Sequence, residues 1–227
     1  VFKCTPQPQG TCICQLVNIY TKNDEHFEEQ AIWLKKLYYK YGARRLVIDG
    51  NGLGIGLVDY MVKKQTDPDT NEFFPDFGVY NDQDGEYKKY RSSECEQDAM
   101  YIIKANAPIN TEAHANAQSM MSSGKVKFLI DERVAKTKLL GTKVGQNMKP
   151  EERAEYLKPF TLTSILREEM MNLREENEGV NIILRQANRG IKKDKFSAFE
   201  YGLYYIKQEE SNKKKKRFNA KEWRFYN

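Results

Sequence analysis

Asp49 closes the short apolar run Arg45-Leu46-Val47-Ile48-Asp49 and stands immediately before a glycine-rich turn, Gly50-Asn51-Gly52-Leu53-Gly54-Ile55-Gly56. A continuous apolar run reads as a buried central strand. A carboxylate at its C-terminal end is held rigidly at the edge where open α/β sheets collect functional groups, and it is a suitable oxygen donor for a divalent cation. Asp is equally an ordinary turn former, so the residue type alone leaves both readings open. A second acid, Asp194, lies in Lys192-Lys193-Asp194-Lys195 at the head of an aromatic-rich helix. Three neighbouring lysines favour its ionised form, and the position also suits a helix N-cap. A carboxylate at a helix start can do both.

Other candidates carry less. Asp131 ends Lys125-Val126-Lys127-Phe128-Leu129-Ile130 much as Asp49 ends its run, but Asp131-Glu132-Arg133 reads as a helix start. Asp59 is read as an exposed helical acid. His26 and His114 have no partners at metal-binding spacing and are read as surface or capping groups. The glycine run fails the GxGxxG dinucleotide fingerprint at every register, and GxxxxGK[ST] occurs nowhere. The turn is therefore expected to let the next helix begin tightly against Asp49, and the chain is not expected to hydrolyse ATP by itself. Cys12 and Cys14 alternate onto one face of a strand. With Cys4 and Cys95 they form no CxxC pair, so a zinc site is not expected and the thiols are expected to be reduced.

The elements that must position these residues alternate between strand and helix. Strands are expected at Thr11–Thr21, Arg45–Asp49, Met100–Lys104, Lys125–Ile130 and Val180–Gln186. Phe27, Ala31, Leu34, Tyr38 and Tyr41 form one apolar stripe in a helix over Glu25–Tyr41, closed by Gly42. Further helices are expected at Leu57–Lys64, Asn110–Ser123, Met148–Asn177 with a break at Pro159, and Asp194–Lys207. In the last, Phe196, Phe199, Leu203 and Ile206 face inward, and Tyr201, Tyr204 and Tyr205 are read as core packing. Gln65–Gly85 reads as a long insertion loop. The alternation argues for a three-layer α/β domain over residues 1–210, followed by a basic and aromatic tail at 211–227.

The 227 residues suffice for a proper core, and 40% hydrophobic with 30% charged residues describes a globular chain. No apolar run approaches the ~20 residues that span a bilayer, and the opening Val1-Phe2-Lys3 lacks both a signal-peptide pattern and an initiator Met, as expected of a piece of a longer protein. The net charge of +5 is unevenly spread. From Arg185 onward there are 13 Lys and Arg against five Asp and Glu, while the preceding residues are slightly acidic. Such a basic end, including Lys213–Lys216 and Arg217, suits a polyanionic partner or a solvated tail.

At Leu46-Val47-Ile48-Asp49-Gly50-Asn51-Gly52-Leu53-Gly54-Ile55-Gly56-Leu57-Val58-Asp59 the sequence resembles the nuclease domain of bacteriophage large terminase subunits. Gly190-Ile191-Lys192-Lys193-Asp194-Lys195-Phe196-Ser197-Ala198-Phe199-Glu200-Tyr201 resembles that family's last catalytic motif. The resemblance covers nearly the whole chain. It implies a ribonuclease H-like fold with a central mixed sheet flanked by helices, and an endonuclease that cuts concatemeric double-stranded DNA using two Mg²⁺ or Mn²⁺ ions. It matches Asp49 to the central-strand acid, Asp194 to the helix acid and Lys193 to a basic residue near the metals. The family's first acid, on the opening strand, has no counterpart before Asp24, so that strand is expected to be missing and the metal site incomplete.

By the same resemblance, Arg185, Arg189, Lys192 and Lys195 would hold the duplex backbone with little sequence preference. The implied partners are the terminase small subunit, the portal protein and an N-terminal ATPase domain, in the host bacterial cytoplasm and away from membranes. Two alternatives remain: another ribonuclease H-like nuclease of the resolvase or transposase type, or a non-catalytic DNA- or partner-binding module whose acids are structural.

Overall fold

The computed structural model describes residues 1–8, 10–22, 26–93, 95 and 98–222, with side chains except at 53 and 214–222. Its elements are β1 (Phe2–Pro6), β2 (Cys12–Leu16), α1 (Phe27–Tyr41), β3 (Leu46–Asp49), α2 (Leu53–Met61), β4 (Gln65–Thr66), β5 (Phe73–Phe74), β6 (Met100–Ile103), α3 (Ala107–Ser122), β7 (Val126–Lys127), α4 (Glu132–Leu140), α5 (Lys143–Asn147), α6 (Pro150–Met171), β8 (Leu173–Glu178), β9 (Asn181–Gln186) and α7 (Asp194–Glu222). The fold is mixed α/β. Among the described residues the strands pair in four small sheets: β1-β2-β7, β3-β6, β4-β5 and β8-β9. The chain divides into two compact units, residues 22–106 and residues 1–21 with 107–227. Asp24 and the aromatic residues from Trp223 onward lie outside the described residues.

The 22–106 unit is built on parallel pairing of β3 with β6, in register from Leu46 opposite Met100 to Asp49 opposite Ile103. Parallel strands need cover. The stripe of α1 supplies Ala31 and Tyr38, α2 supplies Val58 and Met61, and these bury Ile48, Met100 and Ile102. Gly42 ends α1 in the left-handed conformation at φ +53°, its N–H donating to the Tyr38 and Tyr39 carbonyls, the common glycine solution to unpaired helix-end carbonyls.

Gln65–Gly85 is not a free loop. It contains the β4-β5 hairpin and contributes buried Phe74, Phe77 and Val79. Two buried carboxylates anchor it. Asp67 accepts from the Thr70 hydroxyl and pairs with Lys36, and Asp76 accepts from the Ser92 N–H at 2.8 Å and from the Ser92 hydroxyl. Composition alone suggested a loop because Asp, Asn and Pro mark turns. Here two of the aspartates bind the segment to the core. Lys35, on α1, is fully buried. Its Nζ donates to the carbonyls of Lys63 at 2.6 Å and Pro75 at 3.0 Å.

In the other unit, β1 pairs antiparallel with β2, and β2 parallel with β7. The inward stripe of α7 is as the periodicity predicts, with Phe196, Phe199, Leu203 and Ile206 buried together with Tyr204 and Tyr205. The helix runs on to Glu222 instead of ending at Lys207, so the backbone of the lysine run is helical.

The largest departure is at 148–177. Helix α6 passes through Pro159 without a break, and it stops at Met171, where Leu173–Glu178 turns into a strand. Asn172 causes the switch. Its side chain donates to the Asn188 carbonyl at 2.9 Å and accepts from the Asn188 N–H at 2.8 Å, stapling the open end of the β8-β9 hairpin. At the other end a two-residue turn carries Gly179 at φ +62°. Leu-Arg-Glu-Glu has good helical propensity, but propensity is a weak preference that a full ladder of strand pairs overrides.

Candidate functional site

Asp49 is the last residue of β3 and is exposed. Its Oδ1 accepts the Asn51 N–H at 3.0 Å, and the Asn51 side-chain amide donates to the Ala105 carbonyl at 2.9 Å. The carboxylate is therefore oriented by its own turn, and the turn is tied to the segment following β6. Gly52 has φ +56°, which favours glycine. At Gly54, a Cβ would lie 1.7 Å from the Asp49 carbonyl oxygen. The glycine run thus does what the sequence predicts: it allows α2 to start in backbone contact with Asp49. Asp59 is exposed on α2, as expected.

Asp194 is also exposed, but its setting differs from the capping role the sequence suggested. It is the first residue of α7, with Lys193 preceding it and the Ser197 N–H donating to the Lys193 carbonyl. The carboxylate that caps the helix is Glu169 of α6, only 1% exposed, which accepts the Phe196 N–H at 2.9 Å. Among the described residues the Asp194 carboxylate makes no hydrogen bond or ion pair, so its oxygens remain available beside the positive end of the helix dipole. Nothing in the sequence marked Glu169. It is one acid in an Arg-Glu-Glu run, and its partner is 27 positions away.

The four basic residues have different environments. Lys195 pairs with Glu169 at 3.2 Å and is largely buried. Arg185 pairs with Glu176 across the β8-β9 hairpin. Lys193 is partly buried, its Nζ 3.5 Å from the Leu184 carbonyl. Arg189 and Lys192 are exposed and make no ion pair among the described residues, which makes them the freest of the set to meet an external anion.

His114 is not the surface group that the sequence suggested. It lies on α3 between two acids, its Nε2 2.7 Å from Glu175 of β8 and its Nδ1 3.5 Å from Glu200 of α7. The Gln118 amide donates to the same Glu175 oxygen. The Glu200 carboxylate raises the histidine pKa above its ordinary value, with Glu175 adding to this and burial opposing both. Asp131 caps α4 by accepting the Arg133 N–H at 2.9 Å, and His26 sits exposed at the N-terminus of α1, both in line with the sequence.

Asp49 belongs to the 22–106 unit and Asp194 to the other. Each offers an open carboxylate, and an all-oxygen donor set suits a hard divalent cation. Among the described residues, no three His, Cys, Asp or Glu side chains gather to form a metal site. No described helix is long and apolar enough to cross a membrane. The chain matches no protein-family profile, no curated protein and no solved structure.

Proposed function

We propose that the chain is a metal-dependent endonuclease domain of a viral DNA-packaging terminase, of ribonuclease H-like fold, that cuts concatemeric double-stranded DNA in the host cytoplasm. One observation carries the reading. The two acids that the resemblance singles out, Asp49 and Asp194, are both exposed carboxylates at element ends, and the structural duty expected of Asp194 is performed by Glu169 instead.

In this reading Asp49, through the carboxylate oxygen that its turn leaves open, and Asp194, at the head of α7, are each a carboxylate that would take a divalent cation. Two divalent ions would supply an activated water and stabilise the leaving 3′ oxygen. Lys193 restrains Asp194 or meets developing negative charge on the phosphate. Arg189 and Lys192 take phosphate oxygens of the duplex, contacts that position DNA without reading its sequence. The terminase small subunit, the portal protein and an ATPase domain are the partners this assignment calls for.

Supercoiled plasmid incubated with the full-length protein and Mn²⁺ is expected to be nicked and linearised, and EDTA is expected to stop it. Asp49→Asn and Asp194→Asn should each lower cleavage at least about 100-fold with an unchanged circular dichroism spectrum. Undiminished cleavage in either folded variant removes the assignment. If the full-length protein does not cut, and the wild-type chain shows no Mn²⁺ binding that Asp49→Asn or Asp194→Asn weakens in a calorimetric titration but retains duplex, the binding-module alternative takes its place.

A further inference from the structure

We propose that Cys4 and Cys14 are a peroxide-responsive thiol pair that closes into a disulfide across the β1-β2 ladder and reopens under reductant. The two residues are direct partners in the antiparallel register. The Cys14 N–H donates away from β1, to the Lys125 carbonyl at 2.8 Å on the β7 side. In an antiparallel pair a residue's N–H and C=O point to the same side, so Cys4 and Cys14 occupy a non-hydrogen-bonded position. There the Cα atoms lie ~4.5 Å apart with side chains converging, within the separation a disulfide spans.

Both thiols project from one face with Phe2, Pro6, Cys12 and Leu16. Cys4 is exposed to an oxidant and Cys14 is fully buried beneath it. Their thiols are hydrogen-bonded to each other, which lowers the pKa of Cys4 and raises that of Cys14. The exposed Cys4 sulfur is the one an oxidant reaches, so it is the nucleophile, and the buried Cys14 sulfur is the resolving thiol. Cys12 is two residues along β2 and diagonal to Cys4, roughly 7 Å from either, the limit beyond which a bridge requires backbone movement.

The chemistry balances with a hydroperoxide as oxidant. The Cys4 thiolate attacks hydrogen peroxide. An S–O bond forms, the O–O bond breaks, and the departing hydroxide takes a proton to leave as water. The Cys14 sulfur then attacks the resulting sulfenic acid. The S–S bond forms, the S–O bond breaks, and the oxygen leaves as a second water with the Cys14 proton. Two thiols have lost two protons and two electrons, and one peroxide has become two waters. The product ties the edge strand β1 covalently to β2.

The test is intact-mass and fragment mass spectrometry of the full chain before and after hydrogen peroxide. The expected result is loss of two hydrogens, a bridge mapped to Cys4 and Cys14, recovery with dithiothreitol, and closure at least about tenfold faster in the folded chain than in urea. Cys12→Ser/Cys95→Ser, which retains only the pair, should behave the same way. Cys14→Ser should instead leave a sulfenic acid on Cys4 that dimedone traps. Bridging through Cys12, a disulfide-linked dimer as the main product, or progression of Cys4 to sulfinic acid while Cys14 remains free for alkylation would each overturn the proposal. The wild-type map requires no substitution, so a poorly folding variant leaves the test intact.

Discussion

Asp49 and Asp194 reach the surface by opposite routes. Asp49 is positioned by its neighbours in sequence. A four-residue strand carries it to the sheet edge, Asn51 orients it, and Gly54 lets the following helix press against its carbonyl. Asp194 is positioned from a distance. Glu169, on another helix, takes the capping role at Phe196 and neutralises Lys195, which leaves Asp194 unencumbered. The first arrangement can fail only through local backbone change. The second can be undone by a residue that no reading of the motif itself would suggest.

The comparison can be broken most severely at Gly54. Gly54→Ala forces a Cβ into the Asp49 carbonyl, which is backbone and cannot swing aside. The expected loss is more than about 4 kcal/mol, read by urea denaturation, or, if α2 shifts to accommodate it, loss of any Asp49-dependent plasmid cleavage. Glu169→Ala tests the distant arrangement. It strands a largely buried ammonium and uncaps α7, for an expected cost of about 3 to 5 kcal/mol. Asp194→Asn, by contrast, should scarcely change the denaturation midpoint. If Glu169→Ala proves neutral and Asp194→Asn costly, the assignment of roles between these two acids is reversed.

Two smaller effects sharpen the contrast between the units. Lys35→Met in the 22–106 unit leaves the Lys63 and Pro75 carbonyls without their donor, at an expected cost of about 1 to 3 kcal/mol. The smallest effect is at His114. Its pKa is raised in the folded chain, so its ion pairs contribute fully below the unfolded value near 6.5 while the glutamates remain ionised. That contribution is lost as pH rises through the folded value. The wild-type advantage over His114→Gln, about 1 kcal/mol or less, should be present at pH 6 and shrink by pH 8.5 in paired denaturation curves. An advantage that grew over that interval would show that the acids do not stabilise the imidazolium.

The same division decides what could be read in advance. The α1 stripe, the run leading to Asp49, the packing role of the glycine turn and the inward face of α7 all follow from patterns within a few residues, and the structure bears them out. The β1 strand, the end of α6 at Asn172, the burial of Lys35 and the acids around His114 did not. Lys35 lies one turn beyond Ala31 on α1, and only the carbonyls 28 and 40 positions away explain its burial. His114 has no neighbour at ligand spacing because its partners stand on β8 and α7.

By itself, then, the sequence determined where helices present an apolar face, where a carboxylate meets a sheet edge, and where glycine permits close backbone approach. These depend on side-chain period and local sterics. Tertiary structure alone decided which charged groups are buried, which acid caps α7, and where a helix-forming stretch becomes a strand. Burying a charge or pairing a strand is favourable only when a specific partner, remote in the chain, compensates the lost hydration and backbone hydrogen bonds.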